Sequence, residues 1–175
     1  MRTAIAVICG FTLAATITVA AQIAQTYPLA KGPGYFHSGQ SMEQKGAAML
    51  ADAAKANGLA MERFETYPGS YTQLTVRTAS GGGEQHQRWQ DNFFVVSGEG
   101  TEIVGGRMID GKEATPGEIR GTRVEGGESH VLHKGDTLHV AANTPHQTII
   151  APGGSFVYLV LKVEEPSARL MPATK

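Results

Sequence analysis

The chain has 175 residues, a formal net charge of -1 at pH 7, 7% aromatic residues and 22 glycines. That balance gives no ground for a nucleic-acid or anionic-membrane partner, and a single cysteine excludes an intrachain disulfide. Few aromatics and many glycines fit a turn-rich β protein, long enough to bury one sizeable core.

Residues 1–21 read as a secretory signal peptide. Arg2 supplies the positive start, Ala4 to Ala20 is apolar and small, and Val19-Ala20-Ala21 offers a cleavage site before Gln22. A membrane anchor is the alternative, but the run is short, is diluted by threonines and has no basic cluster after it. Cleavage would remove Cys9 and leave a periplasmic or secreted chain without thiol chemistry, and with no membrane partner once the signal is gone.

Residues 22–59 form an N-terminal arm and helix. Pro28, Gly32, Pro33 and Gly34 break regular structure in the arm. Ser41 is placed to cap a helix running to Asn57 and ended by Gly58, with Ala47, Leu50, Ala51 and Ala54 as its apolar stripe.

Residues 60–165 read as strands: Met61–Tyr67, Tyr71–Thr78, Gln90–Ser97, Thr101–Val104, His130–Leu132, Thr137–Ala141, Thr148–Ala151 and Ser155–Val163. Glycine or proline punctuates nearly every junction, which predicts an antiparallel sandwich or jelly roll followed by a tail over 166–175. The segment Gly105–Gly127, rich in Gly, Glu and Arg, is longer than a hairpin needs and reads as a surface excursion, either a lid or a solvated loop. Phe93–Val96 and Phe156–Val163 are apolar on both faces, so their outer side needs cover from the helix or a second subunit. Closed two-fold pairing is the commonest oligomer, and a homodimer is expected.

Candidate chemistry lies in two stretches. Glu84 and His86 are two apart, so on a strand they share a face; Asp91 rejoins them if the polar run from Gln87 to Gln90 turns or bulges. Farther on, Gly135 feeds a short strand and a tight turn at Asn143 to Pro145 that delivers His146. His139 lies on that strand, turned away from Leu138 and Val140, and is a second-tier candidate. His37, His130 and His133 read as surface residues.

These two stretches resemble the paired motifs of the cupin superfamily. With Glu84 in the first histidine slot, His86 takes the second, Asp91 the glutamate slot and Gly98 the closing glycine, with both intervals kept. In the second motif Gly135 and His146 match in type, while Ala141, Asn143 and Ile150 stand where the motif has other residues. In the other register Arg88 would fill a ligand slot, and arginine stays protonated. Tyr71 to Val163 is also similar to a group of small bacterial cupin-domain proteins. The resemblance implies an all-β fold, a double-stranded β-helix (jelly-roll or cupin barrel) with one N-terminal α-helix here, and leaves the reaction open.

Two imidazoles and two carboxylates suit a divalent transition metal, Mn, Fe, Zn or Ni, with positions left for a substrate or water. Three readings follow: a metal-dependent enzyme acting on a small oxygen-bearing molecule, a non-catalytic module for a sugar-like ligand without metal, and a relic that binds nothing.

Overall fold

A computed structural model describes residues 27–165. The signal-peptide reading and the 166–175 tail lie outside the described residues.

One helix, α1 (Gly39–Lys55), precedes twelve strands among the described residues. They are β1 (Leu59–Tyr67), β2 (Ser70–Arg77), β3 (Gly83–His86), β4 (Trp89–Val104), β5 (Arg107–Ile109), β6 (Lys112–Thr115), β7 (Glu118–Gly121), β8 (Arg123–Glu125), β9 (Glu128–His133), β10 (Thr137–Val140), β11 (His146–Ile149) and β12 (Phe156–Glu164). The architecture is the all-β barrel with one N-terminal helix that the sequence predicts.

Two sheets share one strand. The first half of β4 pairs with β12 and β10, and the order continues through β2 to β1. Its second half pairs with β9 and β11, and β3, β7 and β6 follow. The sequence predicts two strands here with a glycine turn between them. Instead β4 runs unbroken through Gly98, whose φ of 77° only glycine adopts without strain, and a bulge between Ser97 and Val95 bends it from one sheet into the other.

Between the sheets lie Phe93, Val95, Leu132, Val140, Ile150, Phe156, Tyr158 and Val160. On the outer face of the first sheet Leu74, Val76 and Val157 pack against Met42 and Ala53 of α1. Strand β12 is therefore apolar on both faces because both are covered, whereas β2 turns Leu74 and Val76 to the helix and Gln73, Thr75 and Arg77 to the interior. Burying each large apolar side chain stabilises by roughly 1.5–3 kcal/mol.

The helix departs from expectation at its start and in its face. Ser38, not Ser41, is the cap: its side chain accepts from the Ser41 backbone N–H at 3.1 Å. Met42, Gly46 and Ala53 face the sheet, while Ala47, Ala51 and Ala54 are exposed and only Leu50 of the predicted stripe is partly buried. The larger methionines and the close approach allowed by Gly46 outweigh the alanine pattern. The helix ends at Lys55, two residues short of the predicted Asn57, with Asn57 and Gly58 both in the left-handed region.

Residues 105–127 are neither lid nor loop. Strand β7 pairs with β3 along its whole length, β6 pairs with β7, and β5 with β8 makes a small separate ribbon.

Candidate metal centre

Strands β3 and β11 are antiparallel neighbours in which His146 stands opposite Glu84. Directly opposed residues share a face, and His86, two along from Glu84, shares it too. The turn before β11 is tied to β3 twice: the Asn143 N–H donates to the His86 carbonyl at 2.7 Å, and Gln85 Nε2 donates to Asn143 Oδ1 at 2.7 Å. Asn143 takes a φ of 61° in this turn, a conformation that asparagine tolerates better than most residues.

After His86 the chain bends at Gln87–Arg88 and crosses to the other sheet, so Asp91 faces the histidines from β4. Its Oδ2 lies 3.5 Å from His86 Nε2 and 3.7 Å from His146 Nε2. One ligand atom from each of Glu84, His86 and His146 lies within 4.8 Å of the others. His139 does not join them. It is exposed on the outer face of β10, with Nε2 3.2 Å from Gln90 Oε1, because alternation sends Val140 inward in its place. His37 and His133 are exposed and His130 is partly buried at the far end of the second sheet.

The two imidazoles are oriented by their Nδ1 atoms. His146 Nδ1 donates to the Thr144 carbonyl at 3.0 Å, and His86 Nδ1 donates to Glu118 Oε2 at 2.6 Å. Each ring in its neutral form then presents an Nε2 lone pair inward. His86 Nε2 and Asp91 Oδ1 are buried with no hydrogen-bond partner.

Charge around the cluster is tightly paired. Arg77 Nη2 donates to Glu84 Oε1 at 2.8 Å and its Nε to the Tyr158 hydroxyl at 3.2 Å. Arg120 Nη2 lies 3.1 Å from Glu118 Oε2 and 3.7 Å from Glu84 Oε2. Lys162 Nζ lies 2.5 Å from Asp91 Oδ2. Burial would raise the Glu84 and Asp91 pKa values, but Arg120 and Arg77 hold Glu84 below the usual range, and His86 with Lys162 brings Asp91 to about 2. Burial lowers His146. At His86 burial acts the same way, but the carboxylates of Asp91 and Glu118 outweigh it and the pKa is raised.

The site opens into a cavity of about 260 Å³ between the sheets. Arg77, Glu118, Arg120 and Lys162 are its residues that the sequence reading missed. Glu118 and Arg120 sit on the segment taken for an excursion, where Gly117 and Gly121 bracket a short alternating run. A lone lysine in the apolar run Phe156–Val163 was the signal for Lys162.

One more buried acid lies on β4. Glu102 is fully buried opposite Thr148, and burial pushes its pKa up to about 8. Thr148 favours the ionised form, yet neither Glu102 oxygen makes a well-formed hydrogen bond.

No protein-family model matches the chain, and no curated protein matches it. Among solved structures it is similar to KdgF from Halomonas sp., at 17% identity over 63% of this chain and 83% of that one, TM-score 0.47. It is also similar to the DMSP lyase DddQ from Ruegeria pomeroyi DSS-3, at 16% identity over 70% of this chain and 54% of that one, TM-score 0.45. Pac13, a nucleoside dehydratase from Streptomyces, is similar at 13% identity over 65% of this chain and 75% of that one, TM-score 0.45. At these identities no residue role carries over from any of them.

Proposed function

We propose that the chain holds a divalent transition metal between Glu84, His86 and His146, with Asp91 beside them, and uses the cavity to bind or transform a small organic molecule. The observation behind this reading is His86 Nε2, buried without a partner while Nδ1 is fixed by Glu118. An orphaned buried nitrogen costs free energy unless something occupies it, and an imidazole oriented through a carboxylate is a common setting for a metal ligand. Nitrogen and oxygen donors without thiolate suit Mn, Fe, Zn or Ni. When bound, the metal would supply a Lewis acid with positions open to the cavity. The chain's own part is to hold both imidazoles in one tautomer and to shield the site from bulk water.

Elemental analysis of the purified protein tests this, together with titration of Mn, Fe, Zn and Ni into chelator-treated protein. Stoichiometric metal that is lost in both His86→Ala and His146→Ala supports it; absence of metal and of any titration signal would sink it.

A second reading, a metal-free module for a sugar-like ligand, draws on Arg77 and Lys162, which already give Glu84 and Asp91 their counter-charges. We propose further that the chain is exported, on the strength of residues 1–21, and that it forms a homodimer. The second of these is supported by Phe94, 43% exposed on the outer face of β4 beside the partly buried Leu159.

A further inference from the structure

Two neighbouring rungs of the first sheet carry opposite chemistry into the cavity. On one, Lys162 of β12 stands opposite Asp91 of β4; on the next, two residues along, Val160 stands opposite Phe93. All four line the cavity. The charged rung touches the histidine cluster through Asp91, and the apolar rung lies two residues along on the same face.

The cations of the lining are matched in number by nearby carboxylates, but their N–H donors are not all taken. Arg77, Arg120 and Lys162 line it against Glu84 and Asp91. Glu118, behind Arg120, brings the count level, and any divalent metal at the histidines would leave positive charge in excess. Lys162 is only 7% exposed, and Asp91 takes one of the three donors of its ammonium. The other two are left for whatever fills the cavity. Arg120 stands at the rim, more exposed; its Nη2 donates to Glu118 Oε2 at 3.1 Å and its Nη1 to the Ile119 carbonyl at 3.2 Å, which leaves three of its five N–H donors.

We propose that the ligand is a small monocarboxylate with a short hydrocarbon part, its carboxylate held by Lys162 and Arg120 and its apolar part against Phe93 and Val160. The proposal rests on the reading of this cavity as the functional site and narrows it to a chemical class. The volume sets the size: at ~30 Å³ per water, about 260 Å³ is the space of fewer than about ten waters. A phosphate has no apolar part and would leave the apolar rung without a partner.

Calorimetry with 2-hydroxybutyrate, its neutral amide and inorganic phosphate tests this on wild-type protein, chelator-treated and Mn-loaded. The acid is expected to bind about tenfold or more tightly than the amide in both forms, as loss of one charge-assisted contact implies. Lys162→Met and Arg120→Gln should each remove most of that preference. Arg120 is exposed enough for its variant to fold, so it decides alone if Lys162→Met does not. Equal affinity for acid and amide, tighter binding of phosphate, an unchanged preference in Arg120→Gln, or no binding of the acid at millimolar concentration would each overturn the proposal. Discrimination without metal uptake would sink the metal reading only, and metal uptake without discrimination would sink this one only.

Discussion

Lys162 and Asp91 face each other across β12 and β4, with Nζ 2.5 Å from Oδ2 and both side chains nearly fully buried. A buried pair of this kind adds little by existing but costs much when halved. Lys162→Met alone is expected to destabilise by about 3–5 kcal/mol, and Asp91→Asn with Lys162→Met to recover most of that. Urea denaturation of the two singles and the double measures it. Additive losses would mean that the two groups do not interact.

Glu118 acts on the metal site through His86. Glu118→Gln keeps the shape but weakens the bond to Nδ1, and metal affinity should fall about 10–100-fold with little change in stability. Competition with a fluorescent chelator measures the affinity. An unchanged value would show that the 2.6 Å contact does not tune the ligand.

Glu102 makes stability depend on pH. Its pKa rises from 4.5 to about 8 on folding, so between those values the folded chain keeps a proton that the unfolded chain has released. Stability from this group is full below about pH 4.5, falls as pH rises towards about 8, and levels off above. The loss is on the order of a few kcal/mol. Glu102→Gln stays neutral throughout and should flatten that slope, as urea melts at pH 5 and pH 8 would show. The same slope in the variant would place the titration elsewhere.

Gly46 is where α1 meets β12. A Cβ there would lie 2.5 Å from Val157 Cγ1, and valine is stiff at that bond. Gly46→Ala is therefore expected to destabilise by about 1–3 kcal/mol, although a mid-helix glycine-to-alanine change usually gains about 0.5–1 kcal/mol. Gly39→Ala, with nothing within 4 Å of its Cβ, serves as the control. A thermal melt that rises in Gly46→Ala would contradict the packing.

Export and pairing can be read on one preparation. Intact mass should show a chain starting near Gln22, and light scattering after size exclusion should show a dimer that Phe94→Ser weakens by about tenfold or more, the equivalent of removing one large apolar contact. A retained leader in the cytoplasm contradicts the first, and a monomer mass at tens of micromolar the second.

The barrel was legible because its punctuation is local. Glycines and prolines mark strand ends, and the paired apolar faces of Phe93–Val96 in β4 and of β12 follow from the run of residue types alone. The join within β4 was not, since Gly98 reads as a turn from sequence and as a bend only once two sheets compete for one strand. Among the site residues, Glu84, His86 and His146 are brought together by strand periodicity and by the turn before His146. Glu118 and Arg120 escaped because polar side chains on an inward face break the apolar alternation by which strands are recognised. His139, a second-tier candidate because alternation turns it away from Leu138 and Val140, lies outside by that same alternation.

Strand β12 follows every other strand in chain order, yet it lies between β2 and β4 in the sheet. Until it is made, β2 and β4 have an empty lane between them, and Lys162 and Tyr158 are missing from the cavity wall. Closing that lane joins segments far apart in sequence, Arg77 with Phe156 for one, so the barrel has the non-local contacts that make folding slow. A chain emerging from the ribosome therefore cannot close this sheet until nearly all of it has been made.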